Sequence, residues 1–145
     1  MFEKPRNGWT DILIGDFEGL GSYIQDIPME CMQAFLKGLR EDAPVVLHFD
    51  EEGSEFAVQI TGDTTTITTE SVYGPEEYTY PLSVLTLAKE ALADFEEHFT
   101  DWVEFSEEYA YFEDEEQTEK QAFFDERKEM LEALLEQFRT EIYKK

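Results

Sequence analysis

Residues 44–80 read PVVLHFDEEGSEFAVQITGDTTTITTESVYGPEEYTY, and the period of this stretch decides the fold. Pro44 to Phe49 is a compact apolar run carrying Val45, Val46, Leu47 and Phe49. Asp50-Glu51-Glu52-Gly53 has turn composition, and beyond it Phe56, Val58 and Ile60 alternate with polar neighbours. Gly62-Asp63 marks a second turn, and Thr64 to Thr69 is β-branched throughout. Gly74-Pro75 interrupts the pattern, and Tyr78-Thr79-Tyr80 resumes extended character. The stretch predicts an antiparallel meander of about four strands with one buried and one wet face.

Past Pro81 the apolar period lengthens from two to between three and four. Val84, Leu87, Ala88, Ala91, Leu92, Phe95, Phe99 and Trp102 recur at helical spacing, which predicts a helix over 81–102 covering the sheet. Residues 103–117 are less periodic and dense in Glu and aromatics. Residues 118–143 predict a long final helix with the stripe Phe124, Leu131, Leu134, Leu135, Phe138 and Ile142. Glu and Asp line its other face, with Arg127 and Lys128 among them. Upstream, Trp9 to Asp16 reads as a short strand. Gly15, Gly19 and Gly21 break the chain, and a second extended piece is expected at 22–24. Pro28 stands where a first helical residue belongs, with Asp26 as a cap. Met29, Met32, Phe35, Leu36 and Leu39 then space out a short helix through about Arg40. The expectation is one α+β domain over 1–145, in which a meander of about four strands packs against two or three helices, the last one long.

Composition narrows the function. The 145 residues are 41% hydrophobic and 14% aromatic, enough apolar area to support a core. Thirty-five acidic side chains face eleven basic ones, a net charge of -24. That balance excludes general electrostatic binding to nucleic acid or to anionic membranes, both of which need Lys and Arg. It favours fast encounter with a basic partner, and it also serves plain solubility. The one cysteine, Cys31, lies in an apolar helical pattern and reads as a small buried hydrophobe. A chain without structural disulfides suits a reducing compartment. With no signal peptide and no run of about 20 apolar residues, the expected location is the cytoplasm.

Catalytic signatures are absent. Gly15-Asp16-Phe17-Glu18-Gly19-Leu20-Gly21 is glycine-rich but has neither phosphate-binding spacing, and it carries two acids where a phosphate cradle wants none. No serine sits in a nucleophile elbow, and His48 and His98 lack metal-ligand context. The acidic runs 50–55 and 113–116 lack the alternating ligands and final bidentate Glu of a calcium loop. Neither a catalytic residue, nor a metal, nor a cofactor is predicted.

The one constellation that stands out runs from Asp94 to Glu136. It holds 17 acids against Lys120, Arg127 and Lys128, more than half of the total charge on fewer than a third of the residues. Aromatics are interleaved, and Tyr109, Tyr111 and Phe112 fit the helical stripe poorly. Acids around tyrosines form an anchor set for a basic protein surface, because Arg stacks on aromatic faces and Tyr is enriched at interface centres. The predicted partner-binding residues are Glu104, Glu107, Glu108, Tyr109, Tyr111, Glu113, Asp114, Glu115 and Glu116. The competing reading is a solvated acidic surface with locally packed aromatics.

In size, acidity, lack of a catalytic motif and α+β layout, the chain resembles the small immunity proteins of bacterial polymorphic and contact-dependent toxin systems. The stretch Ile14-Gly15-Asp16-Phe17-Glu18-Gly19 is suggestive of the same group. The resemblance implies a non-catalytic protein that binds and neutralises a cognate toxin domain, often a basic nuclease. It carries over no functional residue, and because such proteins span many folds it says nothing about this one. Two other classes stay open: another acidic interaction protein, such as a nucleic-acid mimic, and an enzyme built on carboxylates that no motif flags.

Overall fold

The computed structural model describes residues 1–145. The chain opens with a hairpin of β1 (Trp9–Ile14) and β2 (Phe17–Ser22), followed by helix α1 (Ile27–Glu41). The meander follows as β3 (Val45–Asp50), β4 (Glu55–Thr61), β5 (Thr64–Ser71) and β6 (Gly74–Tyr80), in sequence order and antiparallel throughout. Helices α2 (Val84–Glu97), α3 (Phe99–Glu104) and α4 (Glu107–Ala110), a 3-10 turn at Asp114–Glu116 and the long α5 (Gln117–Tyr143) complete an α+β fold.

The sheet realises the alternation in the sequence. Leu47, Val58, Ile67 and Tyr78 stand in one cross-strand row. Val45, Leu47, Phe49, Phe56, Val58, Ile60 and Ile67 are all buried, whereas their neighbours Val46, His48 and Gln59 face water. Helix α1 makes the closest helical approach, along β3, and packs in turn on α5 and α2. Over β4 to β6 the cover is instead the β1–β2 hairpin, whose Phe17 lies 5.1 Å from the Phe56 ring and 5.7 Å from Tyr78. Helix α2 adds Leu87, Ala88, Ala91, Leu92 and Phe95, and α5 adds Leu131, Leu135, Phe138 and Ile142, to one connected hydrophobic core.

Four local expectations differ from the structure. The second extended piece is β2, starting at Phe17 and not at Ser22. Gly19 lies inside that strand because a Cβ there would meet the Phe56 ring at 2.7 Å, so it permits close approach and breaks nothing. Gly74-Pro75 does not interrupt the meander either. The chain turns one step earlier, at Val72-Tyr73, whose side chains are 94% and 95% exposed. Gly74 supplies the positive φ of +103° after that turn, and Pro75 is accommodated because β6 is an edge strand. The helix expected over 81–102 is capped by Ser83 and breaks at His98. The break turns Trp102 back onto the core, edge-on to Phe95 at 5.0 Å. Finally, Arg127 is no member of the solvent face of α5. It is buried, at 9% exposure.

Candidate functional site

The acidic segment leaves the core at Phe105, which is buried against Trp102 at 5.3 Å and also lies 6.3 Å from the Tyr23 ring. Ser106 then caps α4, its Oγ accepting from the Tyr109 N–H. At the start of α5 the Glu113 N–H donates to Glu116 Oε1 at 3.0 Å within a capping box. Glu107 and Glu108 in the first turn of α4, and Asp114 to Glu116 just before α5, also complement helix dipoles. Part of the acid density therefore has a local structural role.

Arg127 fixes the segment in place. Its Nε donates to the Val103 carbonyl at 2.8 Å, and one terminal nitrogen donates to the carbonyls of Trp102 and Phe105 at 3.3 and 3.2 Å. The guanidinium also forks onto Asp26, at 2.8 and 3.1 Å. Asp26 is itself the N-cap of α1. One side chain thus ties the end of α3, the start of α1 and the middle of α5 together.

The predicted binding residues fall into two groups on this frame. Glu104, Glu107, Glu108, Tyr109 and Tyr111 surround the junction of α3 and α4 with Tyr23. Glu113, Asp114, Glu115 and Glu116 sit at the start of α5. None of the seven carboxylates takes part in an ion pair. The two tyrosines differ. Tyr109 is half-buried, 6.0 Å from Phe124, with Lys120 Nζ 4.5 Å over its ring, so it packs against α5 and presents little free face. Burial and then Glu104 raise its phenol pKa. Tyr111 is 68% exposed. Its hydroxyl lies 3.5 Å from that of Tyr23, and this hydrogen bond, with desolvation second, pushes the Tyr23 pKa up to about 12.

Two cavities flank Tyr23. The first, of about 360 Å³, is lined by Ile24, Asp26, Met29, Glu107, Glu108, Phe123, Glu126, Arg127 and Met130, among others. The second, of about 590 Å³, lies between residues 4–8 and the α3–α4 junction, with Glu104, Phe105 and Tyr109 on its wall. Glu113 to Glu116 line neither. The sequence reading missed Tyr23, Met29, Phe123, Glu126, Arg127 and Met130. Met130 left a signal, since it is an apolar residue outside the stripe of α5, and it is 52% exposed.

Elsewhere the Cys31 thiol is buried, and burial holds its pKa well above the ordinary value, so it carries no reactive thiolate. No three His, Cys, Asp or Glu side chains converge as a metal site. No helix is long and apolar enough to cross a membrane. No protein-family profile, curated protein or solved structure matches the chain.

Proposed function

We propose that this chain is a non-catalytic cytoplasmic binding protein that neutralises a basic protein partner, and that the partner is a cognate bacterial toxin domain. The observation that carries the reading is the set of seven carboxylates between Glu104 and Glu116, none with a cation of its own, beside the exposed ring of Tyr111. Carboxylates without partners accelerate encounter with a positive surface and set its salt dependence, and an aromatic at the centre supplies affinity. The toxin-neutralising role rests on likeness of size, acidity and layout to immunity proteins, with no matched residue behind it.

The test is capture from the native cell with the parent protein and with a Glu113→Lys, Glu115→Lys, Glu116→Lys triple variant, followed by association kinetics at two salt concentrations. One basic protein should be retained by the parent and associate more slowly, with a flatter salt dependence, with the triple variant. Tyr111→Ala should instead speed dissociation, at a cost of about 2 kcal/mol or more if the ring is a hot spot. A captured basic protein that bound all three alike would place the interface elsewhere, and a toxin whose activity persisted in the complex would end the neutralising role.

A further inference from the structure

We infer that the cavity between α1, α4 and α5 is a socket for a single arginine side chain presented by the basic partner. The inference rests on the basic-partner reading above and adds where that partner is gripped and by which residue.

Three features of the cavity agree on this occupant. Its apolar wall comes from Met29, Phe123 and Met130, with Tyr23 beside them. Thioethers adapt to an irregular aliphatic stem, and the aromatic faces attract a cation. Its polar lining includes Glu107, Glu108 and Glu126, and no cation lies within ion-pair distance of any of them. The only basic side chain in the lining is Arg127, and its guanidinium is committed to Asp26 and to three backbone carbonyls. Arg127 and Asp26 therefore offset each other, and three uncompensated carboxylates face the space. An anion would be repelled, and a neutral apolar group would leave the half-buried Glu107 and the exposed Glu108 and Glu126 without a cation. A cation on an apolar stem satisfies both the wall and the lining.

Size and geometry favour arginine over lysine. About 360 Å³ lies at the small end of ligand sites, the scale of a side chain more than of a cofactor. Phe123 and Tyr23 contribute aromatic rings to the lining, and Glu107, Glu108 and Glu126 contribute carboxylates from two helices. A planar, weakly hydrated guanidinium stacks on rings and forks onto carboxylates, whereas an ammonium is a compact, strongly hydrated point charge that costs more to desolvate there.

The methionines give a direct readout. The chain has four, and only Met29 and Met130 line the cavity, while Met1 and Met32 are buried elsewhere. Protein carrying 13C-methyl methionine and 15N amides is titrated at low salt with the blocked tripeptide acetyl-Gly-Arg-Gly-amide. The citrulline counterpart, which has the same shape without the charge, is titrated in parallel. The arginine peptide should move the Met29 and Met130 methyl signals in a saturable way, leave Met1 and Met32 in place, and outcompete the citrulline peptide. A Glu107→Gln, Glu126→Gln variant should bind it about tenfold more weakly, with unmoved Met1 and Met32 signals showing an intact core. If arginine shifted only the Glu113 to Glu116 amides, the socket would be refuted while the acidic face kept its attraction for cations. Equal shifts from citrulline would refute it too. If no signal moved at all, the basic-partner reading would fail along with the socket.

Discussion

Removing the Arg127 side chain is the sharpest test of how this fold holds its acidic segment. In Arg127→Ala the carbonyls of Val103 and Phe105 lose the donor they have from this side chain. The Trp102 carbonyl still accepts from the Phe105 N–H at 3.3 Å, so it is not orphaned. Each buried acceptor left unsatisfied costs about 1–3 kcal/mol. The ion pair adds less, because the Asp26 side chain is 39% exposed and water replaces part of its interaction. The sum is roughly 2–7 kcal/mol, a large share of the ~5–15 kcal/mol that keeps an ordinary domain folded. Urea unfolding should show the midpoint fall with little change in slope. Arg127→Lys keeps the charge but not the fork, so it should recover less than half of the loss. An Arg127→Ala cost below about 1 kcal/mol with an unchanged slope would refute the clamp, and with it the account of how α3, α1 and α5 are joined.

Three further outcomes follow from particular contacts. Leu135→Ala should cost about 2–5 kcal/mol, since Leu135 is buried in the core; a change under about 0.5 kcal/mol would put the α5 stripe on the surface. Tyr23 and Tyr80 have phenols pushed up to about 12, the first by Tyr111 and the second by its 2.7 Å hydrogen bond to Asp16. Their protonated contacts stabilise the fold fully below pH ~10 and are lost as pH rises toward 12. Ultraviolet titration should show two tyrosines titrating last, near pH 12, in the parent and one fewer in Asp16→Asn, and an unchanged curve would refute the Tyr80 contact. Raising salt from about 0.01 to 0.1 M shortens the screening length from ~30 to ~10 Å, so a net charge of -24 should make the melting temperature rise; a fall would show that attractive pairs outweigh the repulsion.

What the sequence made legible was what repeats. The meander was readable because inward and outward residues alternate along β3 to β5, and α5 because its stripe runs for about five turns. The hairpin at Val72-Tyr73 was not, because the positive φ falls on Gly74, which belongs to the following strand, and leaves the two turn positions to apolar residues that carry no turn signal. The break at His98 left no mark either, since Phe99 and Trp102 continue the apolar period that α2 begins. Of the site, the acidic segment and the exposed Tyr111 were visible in composition. Arg127 and the walls of the cavity were not, because pairing one cation among many acids with carbonyls 22 to 25 residues away is a tertiary fact.

The distribution of charge bears on whether acidity here is more than solubility. A coat meant only to keep the chain dissolved would spread over every exposed surface. The open face of the sheet carries it at its margins and not across its centre. Its two central rows are Val46, Gln59, Thr66 and Thr79, and His48, Ala57 and Thr68, with Glu77 closing the second row at the edge strand. Asp50, Glu55 and Glu70 stand together at one end. The two central rows of that face therefore hold one carboxylate, Glu77 at the edge strand, while the α3–α5 junction holds seven within thirteen residues. Solvation alone does not call for that asymmetry. Capping and dipole effects explain some of the crowding at the start of α4 and α5, but they act on one turn each and do not require Glu104, Glu126 or an exposed Tyr111. What remains after those local roles is a charged, partly apolar concavity whose frame Arg127 ties together, and it is the surface on which the proposal of a basic partner rests.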